Sequence, residues 1–161
     1  MFIDSKYVKQ FPHLAMYLQG AFQQQARTPL MIEAASLFGQ MNKEQYLNAI
    51  RPGTLPYVLV TDISDCRAGA FAPKLPEWVV IDVDVVTEYE SGKIRRFTCK
   101  DGSFIFAPGL TLLHELMHWG DWNKDHKMLN GPGPFPLQEA GNDFEVFVLG
   151  GLAEIVACRE K

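Results

Sequence analysis

An α+β fold is predicted by a hydrophobic rhythm that changes twice along the chain. Residues 5–50 carry apolar side chains at helical spacing, residues 57–106 hold β-branched and aromatic runs, and helical spacing returns from Leu110. At 161 residues the chain suits one domain, 1–161, around one sizeable core.

Residues 5–26 and 29–50 read as two helices. In the second, Leu30, Ala34, Leu37 and Met41 recur on one face, with Thr28 as cap and Pro29 in the first turn. Arg51-Pro52-Gly53 ends it. These helices form a packing layer and carry no chemistry. Tyr57–Asp62 and Trp78–Val85 read as strands, the latter with Ile81, Val83 and Val85 alternating with Asp82 and Asp84, as for one buried and one wet face. Ile94–Cys99 and Ser103–Phe106 flank Lys100-Asp101-Gly102, a hairpin signal because glycine accepts the positive φ such turns require. The sheet is therefore expected to be small and mainly antiparallel. Pro108-Gly109 breaks the chain before a helix over Leu110–Trp119, which Gly120 ends. Residues 121–136, with Gly131-Pro132-Gly133-Pro134 and Pro136, read as a loop. A last helix is expected from about Leu137 to Ala157.

Bulk composition excludes several classes. A net charge of -4 without any Lys/Arg-rich run argues against nucleic-acid binding. No apolar stretch approaches the roughly 18 residues that span a bilayer. The start, MFIDSKYVKQFPHLAMYLQG, lacks the basic segment and apolar run of a signal peptide. Cys66, Cys99 and Cys158 are too few and scattered for a disulfide framework and read as ordinary thiols. A Cys66–Cys99 bridge stays open, since both lie near predicted strands.

The chemistry concentrates in His114-Glu115-Leu116-Met117-His118, an HExxH pattern. Residues four apart share a helix face, so both imidazoles can reach one metal ion. Glu115 lies about 100° round the helix from His114, within reach of a water held there. Zinc lowers the pKa of such a water towards ~7, and a carboxylate can take its proton. Chance would place HExxH in roughly one such chain in 150, so context must carry the rest. Leu110, Leu112, Leu113, Leu116 and Met117 cover the face away from the histidines, which buries the helix and aims the ligands into a cleft.

A catalytic zinc needs a third protein ligand. The extended pattern HExxHxxGxxH fails, because Gly120 falls one place early and Lys124 stands where the third His belongs. The last helix offers Glu139, Asp143, Glu145 and Glu154. With Leu137, Ala140, Phe144, Val148, Leu152 and Ile155 as its apolar face, only Glu145 falls beside that face, where a carboxylate needs a partner or a metal. Glu145 is the expected third ligand, and Glu139, able to swing in from the first turn, is the alternative. Asp121 could orient a ligand imidazole and His126 could bind an oxyanion. Both are as well or better explained as turn and loop residues.

The stretches LLHELMHWGD and EAGNDFEVFVLGG, preceded by YVLVTD and WVVIDVDVVTEYE, resemble the metallopeptidase toxin domains of bacterial polymorphic toxins. They are similar in particular to the C-terminal effector domain of some type VI secretion spike proteins. The resemblance implies a zincin-like fold, zinc held by His114, His118 and the Glu145 of Gly141–Glu145, and Glu115 as catalytic base. It also implies a peptide or protein substrate, delivery into a neighbouring cell, and a cognate immunity protein. The chain departs from the family in the short loop between its zinc and ligand helices, and in carrying no spike or delivery domain.

The reading from residues and resemblance together is a zinc metallopeptidase whose substrate lies along the edge of the Trp78–Val85 strand. Two rivals differ in class. One is a metallohydrolase with a non-peptide substrate, because HExxH specifies the metal and not the bond cut. The other is a non-catalytic phage or secretion component with a structural zinc.

Overall fold

A computed structural model describes residues 1–63, 67–126 and 139–155. It begins with a two-residue strand, β1 (Phe2–Ile3), followed by five helices: α1 (Ser5–Gln10), α2 (Pro12–Gln19), α3 (Ala21–Gln25), α4 (Pro29–Phe38) and α5 (Lys43–Ile50). Then come β2 (Tyr57–Thr61), β3 (Gly69–Phe71), β4 (Trp78–Asp82), α6 (Val83–Glu90), β5 (Arg96–Thr98), β6 (Phe104–Phe106), α7 (Ala107–Asp125) and α8 (Ala140–Leu149). The fold is α+β, as the sequence predicts.

Each expected N-terminal helix is interrupted for a local reason. Pro12 cannot donate a backbone hydrogen bond and disfavours helical geometry at Phe11, which sits at φ -129°, ψ 68° between α1 and α2. Gly20 separates α2 from α3. The segment 29–50 divides at Gly39, and Asn42 restarts the chain with a reciprocal capping box to Gln45. Thr28 caps α4 through the Met31 N–H, as expected.

The sheet differs from the expected antiparallel arrangement. Its order is β1-β2-β4-β3, with β1–β2 and β2–β4 parallel and β3–β4 antiparallel. Parallel neighbours need a crossover, and the helical run 5–50 supplies one between β1 and β2. The predicted hairpin forms β5–β6, a separate antiparallel pair.

β4 has neighbours on both edges, so its outer edge is not free and no substrate can add there. Its last four residues are all buried, which explains the continuous apolar run Trp78–Ile81. The strand stops at Asp82 instead of Val85. The buried Asp82 carboxylate accepts the N–H groups of Asp84 and Ile63, each at 2.7 Å, and so starts α6. The Asp/Val alternation is therefore not a wet strand face but a helix cap.

Helix α7 is longer than predicted at both ends. Pro108 belongs to its first turn, where a missing N–H costs nothing, and His126 ends it in the left-handed region at φ 59°. Gly120 lies inside the helix. A Cβ there would stand 2.4 Å from the Gly39 carbonyl oxygen, so glycine lets α7 approach the end of α4 and is not a terminator. Leu110, Leu112, Leu113, Leu116 and Met117 are fully buried, and α7 packs against β3, β4, α4, α6 and α8. Fully burying each of these side chains contributes on the order of 2 kcal/mol. That embedding fixes the axis along which His114, Glu115 and His118 are carried.

The last helix is shorter than expected: α8 is capped by Glu139 and closed by Gly150 at φ 91°. Cys99 is a buried free thiol, while Cys66 and Cys158 lie outside the described residues, as does most of the predicted 121–136 loop. Among the described residues no helix is long and apolar enough to cross a membrane.

A candidate metal centre between two helices

His114 and His118 project from one face of α7, with ring centroids 5.4 Å apart. Against them stands the N-terminus of α8. Glu139 is the N-cap of that helix, and its carboxylate accepts the backbone N–H groups of Gly141 (3.3 Å) and Asn142. The same carboxylate reaches both imidazoles. Its Oε1 is 3.8 Å from His114 Nε2 and in close contact with His118 Nε2. The donor atoms of His114, His118 and Glu139 all lie within 4.8 Å of one another.

Two features fit this trio to a metal ion. The donor set is two imidazoles and one carboxylate, which suits zinc and related divalent ions. The helices also meet as closely as the backbone allows. A Cβ on Gly141 would fall 2.2 Å from His114 Nε2, so only glycine lets α8 close over that imidazole.

Glu145, expected from helical periodicity to be a ligand, occupies a different place. Its Oε1 lies 2.7 Å from Nδ1 of His114, the nitrogen on the other side of the ring from Glu139. Its Oε2 accepts the Ala153 N–H at 2.7 Å. Both oxygens are committed, one to an imidazole and one to the chain that follows α8. An ionised carboxylate at Nδ1 fixes the ring's orientation and leaves Nε2 to face the other donors.

Glu115 is buried, next to His114 and three residues before His118 on α7, and lies against β3. A Cβ on Gly69 would be 2.8 Å from Glu115 Oε1. Electrostatics follow from this packing. Burial raises the pKa of Glu115, a shift that His114 and His118 oppose. For His114, burial favours the neutral ring, but the Glu145 hydrogen bond and the charges of Glu115 and Glu139 outweigh it and raise the pKa from 6.5 to about 9. Burial would raise Glu139 as well, but His118, His114 and the Asn142 N–H bring it down to about 2.

The site opens into a cleft of about 540 Å³. Arg67–Phe71 line it together with Leu152, Ala153 and Ile155. The Ala68 carbonyl accepts from Asp82 N, so in an antiparallel ladder the backbone groups of Gly69 and Phe71 point away from β4. Elsewhere, Asp121 is buried and accepts a hydrogen bond from the Gln40 side-chain amide. His126 caps α7 and stacks edge-on to Trp122, and it does not line the cleft.

An HExxH helix buried beneath a cleft and closed over by a carboxylate-bearing helix makes a centre suited to a divalent metal ion. The chain belongs to the metallopeptidase toxin 3 family, whose model matches residues 7–150. No curated protein and no solved structure matches it. The matched span includes both helices of the site and all residues that converge in it.

Proposed function

We propose that this toxin domain is a zinc-dependent peptidase that hydrolyses peptide bonds in proteins of a target cell. The observation that carries this reading is the convergence of His114 Nε2, His118 Nε2 and the Glu139 carboxylate beside a buried Glu115. In this proposal Glu139 is the third ligand, in place of Glu145. Glu145 instead holds His114 from its outer nitrogen.

When bound, zinc supplies Lewis acidity that polarises the scissile carbonyl and acidifies the attacking water. Glu115 takes the proton of that water. Its raised pKa suits a base that must also release the proton, which it passes to the leaving nitrogen. Glu145 keeps His114 in one tautomer throughout. The outward N–H and C=O groups of Gly69 and Phe71 offer an extended substrate a strand to pair with, in place of the occupied edge of β4. Delivery by a specialised secretion system and a cognate immunity protein belong to the same proposal, supported by the family's toxin character.

The test is Glu115→Gln. We expect one zinc per chain to be retained while cleavage of a casein and peptide panel falls by about 10²–10⁴. Unchanged cleavage in the variant would remove Glu115 from the mechanism.

A further inference from the structure

The segment Gly150–Ile155 leaves α8 at the left-handed Gly150 and runs back along the cleft without regular structure. Three interactions hold it there. Ala153 donates to Glu145 Oε2 at 2.7 Å. The guanidinium of Arg95 donates to the Glu154 carbonyl at 3.3 Å and pairs with Glu88 of α6 at 2.6 Å. Ile155 is buried in the main hydrophobic core. A segment with no ladder of its own is thus pinned at its middle and its end.

What the pinned segment presents to the cleft is apolar. Leu152 lines the cleft and is 54% exposed, unlike the fully buried leucines of α7. Ala153 and Ile155 line the same cleft, and Phe71 lines it from the β3 side. An exposed leucine in a cleft wall beside a hydrolytic centre leaves apolar area that a ligand side chain can cover.

We propose that Gly150–Ile155 is the specificity wall of this site, with Leu152 selecting an apolar side chain next to the scissile bond. The inference rests on the peptidase reading for the identity of the ligand. Arg95, which does not line the cleft, is a positioning residue for that wall. Glu145 joins the wall to His114, because its two oxygens serve one each.

The experiment uses binding as well as cleavage, so that the two readings separate. Two metal-chelating dipeptide hydroxamates, identical except for an isobutyl or a carboxymethyl side chain, are titrated by calorimetry into zinc-loaded protein. The acidic probe is the relevant competitor because Arg67 also lines the cleft. Wild type is expected to bind the isobutyl probe at least about tenfold more tightly, the factor that covering most of one leucine-sized side chain provides. Leu152→Asp should bring the ratio close to one, and Leu152→Ala should give an intermediate value. Arg95→Ala should weaken the preference severalfold with zinc affinity unchanged, and in the metal-free protein it should speed amide exchange at Ala153. Equal binding of the two probes by wild type, binding of neither, or a ratio unmoved by Leu152→Asp would overturn the inference. A clear preference without cleavage of any peptide would leave the wall standing and count against the peptidase reading alone.

Discussion

The two helices of the site deliver their donors by different means. Helix α7 carries His114 and His118 in its middle, four residues apart, where 3.6-residue periodicity sets them on one face. Helix α8 delivers Glu139 from its N-cap, a residue in extended geometry at φ -143°, ψ 119° that is outside the helical repeat. The first kind of position can be read from spacing alone. The second cannot, because a cap's direction depends on where the helix starts and on what it is docked against. The cap also does double work: Glu139 satisfies backbone donors of α8 while facing two imidazoles.

Removing each α8 carboxylate in turn separates a ligand from a group that holds a ligand. Glu139→Ala should lose zinc, with affinity down by several orders of magnitude, because the proposed third ligand is gone. It should also cost about 1 kcal/mol of stability from the lost cap. Glu145→Ala should retain zinc with affinity lowered about 10–100-fold, the usual cost of removing an outer carboxylate from a ligand histidine. Chelator-competition titration of the two variants side by side reads both effects. If Glu145→Ala loses the metal and Glu139→Ala keeps it, the roles assigned here are reversed.

The same contrast explains what was legible in the sequence. The HExxH helix is readable because its chemistry sits within one regular element, flanked there by Leu112, Leu113, Leu116 and Met117. Glu145 stood out for a sound reason, since a carboxylate beside an apolar face needs a partner. Its partner is an imidazole and a backbone N–H, which burial alone could not distinguish from a metal. A helix starting at Leu137 puts Glu139 in its first turn. With the helix beginning at Ala140, it becomes the cap. The signal that points to it is the run Glu139-Ala140-Gly141 after a proline-rich stretch: an acidic cap, then small residues that permit close approach. In the fold, the parallel β1–β2 pair is hidden because β1 is two residues long and its partner lies 55 residues away. Asp82 looked like half of an alternating strand because capping and alternation share one local pattern.

A smaller effect tests how tightly the two helices must meet. Gly141→Ala places a Cβ 2.2 Å from the His114 ring, which cannot be relieved without moving α8 or the imidazole. We expect a loss of about 1–3 kcal/mol in thermal or denaturant unfolding of the metal-free protein, together with weaker zinc binding. Asn142→Ala, one residue along and also at the cleft, should leave zinc affinity within a fewfold of wild type. Equal effects from both would show that the contact with His114 is not what matters.

A pH dependence of the metal-free protein is also expected, and its sign follows from the opposite shifts of His114 on α7 and Glu139 on α8. His114 on α7 has its pKa raised from 6.5 to about 9, so its contribution to stability is complete below about 6.5 and is lost as pH rises through 9. Glu139 on α8 is lowered from 4.5 to about 2, so its contribution is complete above about 4.5 and is lost as pH falls towards 2. Together these groups favour the metal-free fold most between about pH 4.5 and 6.5. Zinc requires neutral imidazoles, so its binding releases protons over the range where His114 is charged, and apparent zinc affinity rises with pH up to about 9. Urea unfolding from pH 3 to 10, with and without zinc, measures both trends. Glu145→Gln provides the control, since removing the charge at Nδ1 should shift the alkaline limb to lower pH and leave the acidic limb in place. If the alkaline limb does not move, Glu145 is not what holds the proton on His114.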